Sequence, residues 1–250
     1  MTTKQLRLNR IFGPDGYSLI AALDHGIAGL NPLVNLTFPR KLLPQLVSNG
    51  ADAIITTPGI ARSCADLFGR AGMILRIDGG PSALTGDWGK MEMIQEAEDA
   101  LRLGADAIIV MGITGTPEEA HSLGNLGRLA ARCDAWGLPL VAEILPGGFA
   151  AKTVTIEQMA ISARLAAELG ADVVKIRYQG PEEEFERVTS SCYVPVVILG
   201  GSKQEPDQLV AEIGQALKAG AHGAAVGRNI WQAEQPGEIT ARLAHTVHLL

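Results

Sequence analysis

The stretch "LGADVVKIR", Leu169 to Arg177, is one of four variants of a single phrase. "NGADAIITT" begins at Asn49, "LGADAIIVM" at Leu103 and "AGAHGAAVG" at Ala219. Each follows an Ala/Leu/Glu-rich amphipathic stretch and opens a short run of β-branched or small residues. The glycine suits the position just past a helix C-terminus, where φ > 0 is common, and the run after it reads as a strand. A helix–glycine–strand joint repeated along a chain is the αβ connection of a parallel sheet.

Four more strands complete the set: "SLIAAL" from Ser18, "GMILRI" from Gly72, "LPLVAEI" from Leu138 and "VPVVIL" from Val194. Amphipathic stretches at Met91–Leu103, Glu118–Trp136, Ile156–Leu169 and Pro206–Ala219 read as helices between them. The third connection is the least regular, because "GGPSALTGDWGK", Gly79 to Lys90, is a glycine-rich loop with the makings of a substrate loop. Eight β-then-α units in 250 residues match an α/β fold of the (β/α)8 TIM-barrel type. A doubly wound open sheet would bring G-x-G-x-x-G after its first strand, and "LDHGIAGLNP" is not that. With no composition break or linker, residues 1–250 read as one domain.

Composition sets the class. Hydrophobic residues make up 47% and aromatics 4%, so the core is built of Ala, Val, Ile and Leu. A net charge of −6 argues against a general nucleic-acid binder and leaves room for a local basic pocket. Cys64, Cys133 and Cys192 lack C-x-x-C spacing, and the five histidines are scattered, so neither a disulfide framework nor a metal site is expected. The stretch "MTTKQLRLNRIFGPDG" has no apolar h-region, and no apolar run reaches the ~20 residues of a membrane span. The expectation is a cytoplasmic protein without cofactor.

In such a barrel the chemistry sits where strands end. Those ends carry Asp24-His25-Gly26, Thr56-Thr57-Pro58, Asp78-Gly79-Gly80, Glu143, Lys175 with Arg177, Gly200-Gly201-Ser202-Lys203, and Gly227-Arg228. With a period of two, Val173, Lys175 and Arg177 share one face of their strand, and the apolar Val174 and Ile176 face the helices. Lys175 therefore points into the barrel. Burial and a neighbouring cation disfavour the ammonium form and free the amine to attack carbonyls. The alternative is a lysine paired with Asp24 or Glu143 merely to fill the barrel. "GGSK" and "VGRNI" offer free backbone amides, a hydroxyl and two cations for an anion, which makes Gly200, Gly201, Ser202, Lys203, Gly227 and Arg228 a candidate phosphate cradle. Asp24 and Glu143 are candidate proton carriers or hydroxyl binders. The alternatives are a turn or cap role for Asp24 and a plain salt bridge from Glu143 to Lys175 or Arg177. His25 is a weaker candidate, since the residue after a terminal Asp can point away from the axis.

"LDHG", "VVKIRYQG", "VVILGGSK" and "AAVGRNIWQ", in barrel order from about Ser18 to Gln232, resemble the archaeal-type class I fructose-bisphosphate aldolases. Their relatives include the aminodideoxyheptulosonate synthases and the thiolase that processes phosphorylated autoinducer-2. The resemblance implies that Lys175 is the Schiff-base lysine and Asp24 the strand-one aspartate, with Gly201, Ser202, Gly227 and Arg228 at the phosphate. It also implies metal-independent aldol chemistry on a phosphorylated ketone or ketose, and a homo-oligomer, often a decamer. The chain departs from the family's "YPRG" after strand five, where it has Leu145-Pro146-Gly147-Gly148. The proton then falls to another group, with Asp24 and Glu143 ahead of His25 and Tyr178. The rivals are lysine-dependent acyl transfer on a phosphorylated diketone and a non-catalytic sugar-phosphate-binding barrel.

Overall fold

A computed structural model describes residues 3–85 and 90–248. Eight parallel strands close into a barrel. They are β1 (Ser18–Ala22), β2 (Ala53–Thr56), β3 (Gly72–Arg76), β4 (Ala107–Thr114), β5 (Leu140–Pro146), β6 (Val173–Arg177), β7 (Val196–Leu199) and β8 (Gly223–Val226). Each pairs with its neighbours in chain order, and β8 returns to β1 through Ser18 opposite Gly223. The helices are α1 (Thr3–Leu8), α2 (Pro39–Ser48), α3 (Pro58–Ser63), α4 (Ala97–Arg102), α5 (Glu119–Trp136), α6 (Ile156–Glu168), α7 (Glu182–Ser191), α8 (Pro206–Lys218), α9 (Arg228–Trp231) and α10 (Pro236–His248).

The repeated phrase builds the joints as its spacing predicts. Gly50, Gly104, Gly170 and Gly220 all have positive φ, between 80° and 99°. The aspartate that follows does more than turn the chain. Asp52, Asp106 and Asp172 each accept, through the side chain, the first free N–H of the preceding strand: Leu19 at 2.7 Å, Met73 at 2.9 Å and Leu140 at 2.8 Å. In the fourth copy His222 takes the aspartate's place, and its backbone N–H goes to Val196 O at 2.7 Å.

Two apolar layers follow from strand alternation. Ile20, Ile55, Ile74, Ile109, Val141, Val173, Val197 and Ala225 fill the barrel, while Leu19, Ile54, Leu75, Ile108, Val174 and Ile198 pack outward on the helices. Ile11, with Leu8 and Phe12 beside it, plugs the floor of the inner layer. The segment that carries them is tied to the floor by ion pairs to the repeat aspartates. Lys4 Nζ lies 2.8 Å from Asp172, and Arg10 Nε lies 3.2 Å from Asp106. Arg7 adds a hydrogen bond to the carbonyl of Ala105 at 2.9 Å. From the other end of the chain, His248 on α10 reaches Asp52 at 2.9 Å and Asp15 at 2.7 Å.

The helix expected from Met91 begins later, at Ala97. The intervening residues fold back: Glu92–Met93 pair antiparallel with Asp78–Gly79, and the N–H groups of Ile94 and Gln95 both go to Ile77 O. Glu96 and Asp99 then form a reciprocal capping box that starts α4. In the glycine-rich loop before this ribbon, residues 86–89 lie outside the described residues.

Candidate active site

One layer above the apolar filling, the inward positions become charged. Inward Ile74, Ile109, Val141 and Val173 are followed two residues on by Arg76, Met111, Glu143 and Lys175. Register places Glu143 beside both Met111 and Lys175. The Lys175 Nζ donates to Glu143 Oε1 at 2.6 Å, with the lysine side chain 6% exposed. Lys175 is thus both deeply buried and paired. Its partner is Glu143, and Glu143 turns to Arg76 and Lys175 rather than to Arg177.

Arg76 is the residue that sequence reading passed over. Its guanidinium is 4% exposed and touches three carboxylates: Asp24 at 2.5 Å, Asp78 at 2.8 Å, and Glu143. Asp78 in turn accepts the N–H of Met111 at 2.7 Å, which fixes the neighbouring strand. The signal was present in "GMILRI", a cation inside an apolar run, the same feature that marks Lys175. Burial pushes the carboxyls of Asp24 and Glu143 up, but Arg76 and Lys175 outweigh it and hold both below their usual range.

Asp24 stands before the short 3₁₀ turn His25–Ala28 without capping it by its side chain, so its carboxylate is committed to the barrel. The His25 Nδ1 lies 3.7 Å from Asp24 Oδ1, and the ring meets Trp231 edge-on at 5.3 Å. Burial, helped by Lys175 and Arg228, lowers the imidazole's affinity for a second proton. The His25 ring fits because residue 227 is glycine: a Cβ there would lie 2.2 Å from His25 Cε1. Gly227 therefore makes room for a side chain in this structure. Tyr178 faces the other way, packed edge-on against Phe185 at 4.9 Å with its hydroxyl 3.4 Å from Gln215.

These groups floor a cavity of about 690 Å³ lined by Asp24, His25, Arg76, Glu143, Lys175, Arg177, Gly201 and Arg228. Arg177 is exposed at its rim and Arg228 is half-buried. Burial, with Arg177 nearby, lowers the pKa of Arg228, whose Nε has no hydrogen-bond partner among the described residues. Gly201, at φ 62°, presents open backbone between them. The rest of the expected cradle is arranged differently. Ser202 and Lys203 line an adjoining groove rather than this cavity, and the Lys203 Nζ donates to Gln232 O at 2.8 Å. The Gly200 carbonyl accepts from Asn229 Nδ2 at 2.8 Å. Asn229 also bonds Ser202 O and Gln204 N, so this residue, next to Arg228, staples the β7 loop to α9. Among the described residues no cluster of His, Cys, Asp and Glu has the arrangement of a metal site, and no helix is long and apolar enough to cross a membrane.

Comparison with known proteins agrees with this fold. The model of the DeoC/LacD family aldolases matches residues 18–233. A 2-amino-3,7-dideoxy-D-threo-hept-6-ulosonate synthase from Halobacterium salinarum is 34% identical, over 98% of this chain and 91% of its own. A 2-amino-4,5-dihydroxy-6-oxo-7-(phosphonooxy)heptanoate synthase from Streptomyces griseus is 31% identical, over 98% of this chain and 90% of its own. A Schiff-base-forming fructose-1,6-bisphosphate aldolase superposes with a TM-score of 0.88 at 31% identity, covering 98% of this chain and 100% of the other. An archaeal fructose-1,6-bisphosphate aldolase, solved with its catalytic lysine bound to the carbinolamine intermediate, superposes with a TM-score of 0.87 at 31% identity, over 98% and 99% of the two chains.

Proposed function

The chain belongs to the DeoC/LacD family of aldolases, and from that premise we propose that Lys175 forms the imine with a phosphorylated ketone whose phosphate is held by Arg177, Arg228 and the backbone at Gly201. The single observation that carries this reading is the pair at the cavity floor, a buried lysine amine 2.6 Å from a carboxylate only 12% exposed.

Glu143 takes a proton from the Lys175 ammonium, and the freed amine adds to the ketone carbon to give a carbinolamine. Glu143 returns the proton to the carbinolamine hydroxyl, which leaves as water. The iminium then carries the positive charge that the ammonium carried before, in the same field of Glu143 and Asp24. Loss of an α-proton to a carboxylate gives the enamine, whose carbon adds to an aldehyde as the C=O π bond breaks. The protonated carboxyl gives its proton to the new alkoxide, and water hydrolyses the iminium to free the lysine. Cleavage is the reverse. Asp24, held ionised by Arg76 in the resting site, lines the cavity where it can stabilise the iminium or take the α-proton. Leu145, where the aldolases carry a tyrosine, has no proton to give, so these carboxylates do the work of the phenol.

Borohydride reduction with dihydroxyacetone phosphate tests the assignment. Mass spectrometry should place the adduct on Lys175, and Lys175→Met should take none. An adduct on Lys203, or turnover surviving in Lys175→Met, would refute it. The same premise carries a homo-oligomer in the cytoplasm, with residues 1–250 as one domain. Sedimentation equilibrium checks the first of these.

A further inference from the structure

Each nitrogen of the Arg76 guanidinium faces a different carboxylate. Nε donates to Asp24 Oδ2 at 2.5 Å, Nη1 to Asp78 Oδ1 at 2.8 Å, and Nη2 to Glu143 Oε2. Each carboxylate keeps its other oxygen for a different use. That of Asp78 accepts the Met111 N–H at 2.7 Å, which ties the guanidinium to β4. Glu143 Oε1 meets the Lys175 Nζ at 2.6 Å, and Asp24 Oδ1 lies 3.7 Å from the His25 Nδ1. Asp24 and Glu143 line the cavity, and Asp78 does not. A planar fork fixes its partners in direction as well as distance, which the point charge of a lysine does not.

The two carboxylates on the cavity are therefore unequal. The imine cycle takes a proton from the lysine, gives one to the carbinolamine hydroxyl, takes one from the α-carbon and gives one to the alkoxide. Hydrolysis then takes one from water and returns it to the amine. Takes and gives alternate, so a single carboxylate can carry them all with no proton left over. Glu143 stands where the first is taken. Burial raises its carboxyl, Lys175 and Arg76 lower it by more, and the Asp24 charge works against them in favour of proton uptake. At Asp24 burial is outweighed by Arg76, Lys175 and His25 together. We propose that Arg76 is a positioning residue that divides the work of the two carboxylates. It holds Asp24 as the standing counter-ion of the iminium and turns the one free oxygen of Glu143 to Lys175 as the proton carrier. This inference rests on the imine reading above and narrows it.

The test isolates the α-proton. Dihydroxyacetone phosphate in D2O without an aldehyde gives the rate of α-hydrogen exchange by NMR, and borohydride trapping gives the imine on Lys175. Per trapped imine, Glu143→Gln should lose exchange by about 10²–10⁴-fold, and Asp24→Asn should keep it within about tenfold. Loss of exchange in Asp24→Asn with the imine still trapped overturns the division. Arg76 is tested by the acid limb of the exchange rate against pH. Facing Glu143 are Arg76 on β3, Lys175 on β6, and Asp24 and His25 after β1, while β4 offers the uncharged Met111. Arg76→Gln removes a cation from the cluster and should move the limb up by about 1–3 pH units. Asp78→Asn removes an anion and should leave the limb at or below that of the parent. A residue serving only the fold would lower stability in both variants and move the limb in neither. Arg76→Lys keeps the charge without the fork, so its limb should stay near the parent's while exchange per imine falls. An unmoved limb in Arg76→Gln, a raised one in Asp78→Asn, or parental exchange in Arg76→Lys overturns the role of Arg76. No adduct on Lys175 from dihydroxyacetone phosphate or hydroxyacetone phosphate removes the imine reading and this inference with it. A normal adduct alongside any of the contrary results removes the inference alone.

Discussion

Replacing Arg76 by methionine leaves Asp24 and Asp78 buried and Glu143 only 12% exposed, with Lys175 and the His25 ring beside Asp24 as the remaining basic groups. Breaking a buried ionic cluster in this way costs about 3–5 kcal/mol, because the stranded charges keep their desolvation penalty. Urea denaturation of Arg76→Met should show a loss of that size. The pH dependence carries the sign. Asp24 and Glu143 have folded values below their unfolded ones, so their stabilisation is fully present above the ordinary carboxylate range near about 4. It is lost as pH falls through the depressed folded values. In Arg76→Met that acid-side loss should begin at higher pH. Glu143→Gln should lower kcat by about 10²–10⁴-fold with KM for the phosphorylated ketone nearly unchanged, as steady-state kinetics will show. Arg228→Ala should do the opposite, raising KM by the equivalent of about 1.5–3 kcal/mol for a phosphorylated substrate and sparing an unphosphorylated analogue. At this scale the sequence made Lys175 legible because an ammonium interrupts a β-branched run. Arg76 gave the same signal, but its three acidic partners lie on strands and loops up to 67 residues away, and spacing alone does not join them.

The joints between elements were the easiest part to read, since a glycine with positive φ and a following strand leave a periodic trace. The aspartate inside each joint was harder, because its partner is the backbone of the preceding strand, about thirty residues back. Asp106→Ala should leave the Met73 N–H without its acceptor and cost about 1–3 kcal/mol in a denaturant titration. The tie between α10 and the floor is pH-sensitive. Burial lowers the His248 pKa, but Asp15 and Asp52 raise it more, for a net increase. A group with a raised folded value stabilises fully below its unfolded value and loses that contribution as pH rises through the folded one. The stability difference between the parent and His248→Ala should therefore be larger at about pH 6 than at about pH 9. The ribbon Asp78–Gly79 with Glu92–Met93 escaped sequence reading because two-residue strands carry no periodicity, and Met91–Leu103 keeps an amphipathic pattern although its first half is not helical.

Across the whole molecule, what was legible is what repeats: eight strands, their order, and the end of the barrel where charge collects. What was not legible depends on closure, since Asp24 and Arg76 meet the adjacent-strand pair Glu143 and Lys175 only when the sheet curls shut and the inner layer forms. The floor shows the same dependence in time. Residues 3–12 stand at the bottom of the barrel through Lys4 with Asp172, a partner 168 residues later, and Arg7 with Ala105, 98 residues later. At about 5–20 residues per second of synthesis, the acceptor for Lys4 emerges roughly 10–30 s after the lysine itself. Through that interval Leu8, Ile11 and Phe12 have no barrel to plug. The segment that seals the finished fold is thus made well before the strands that form its seat.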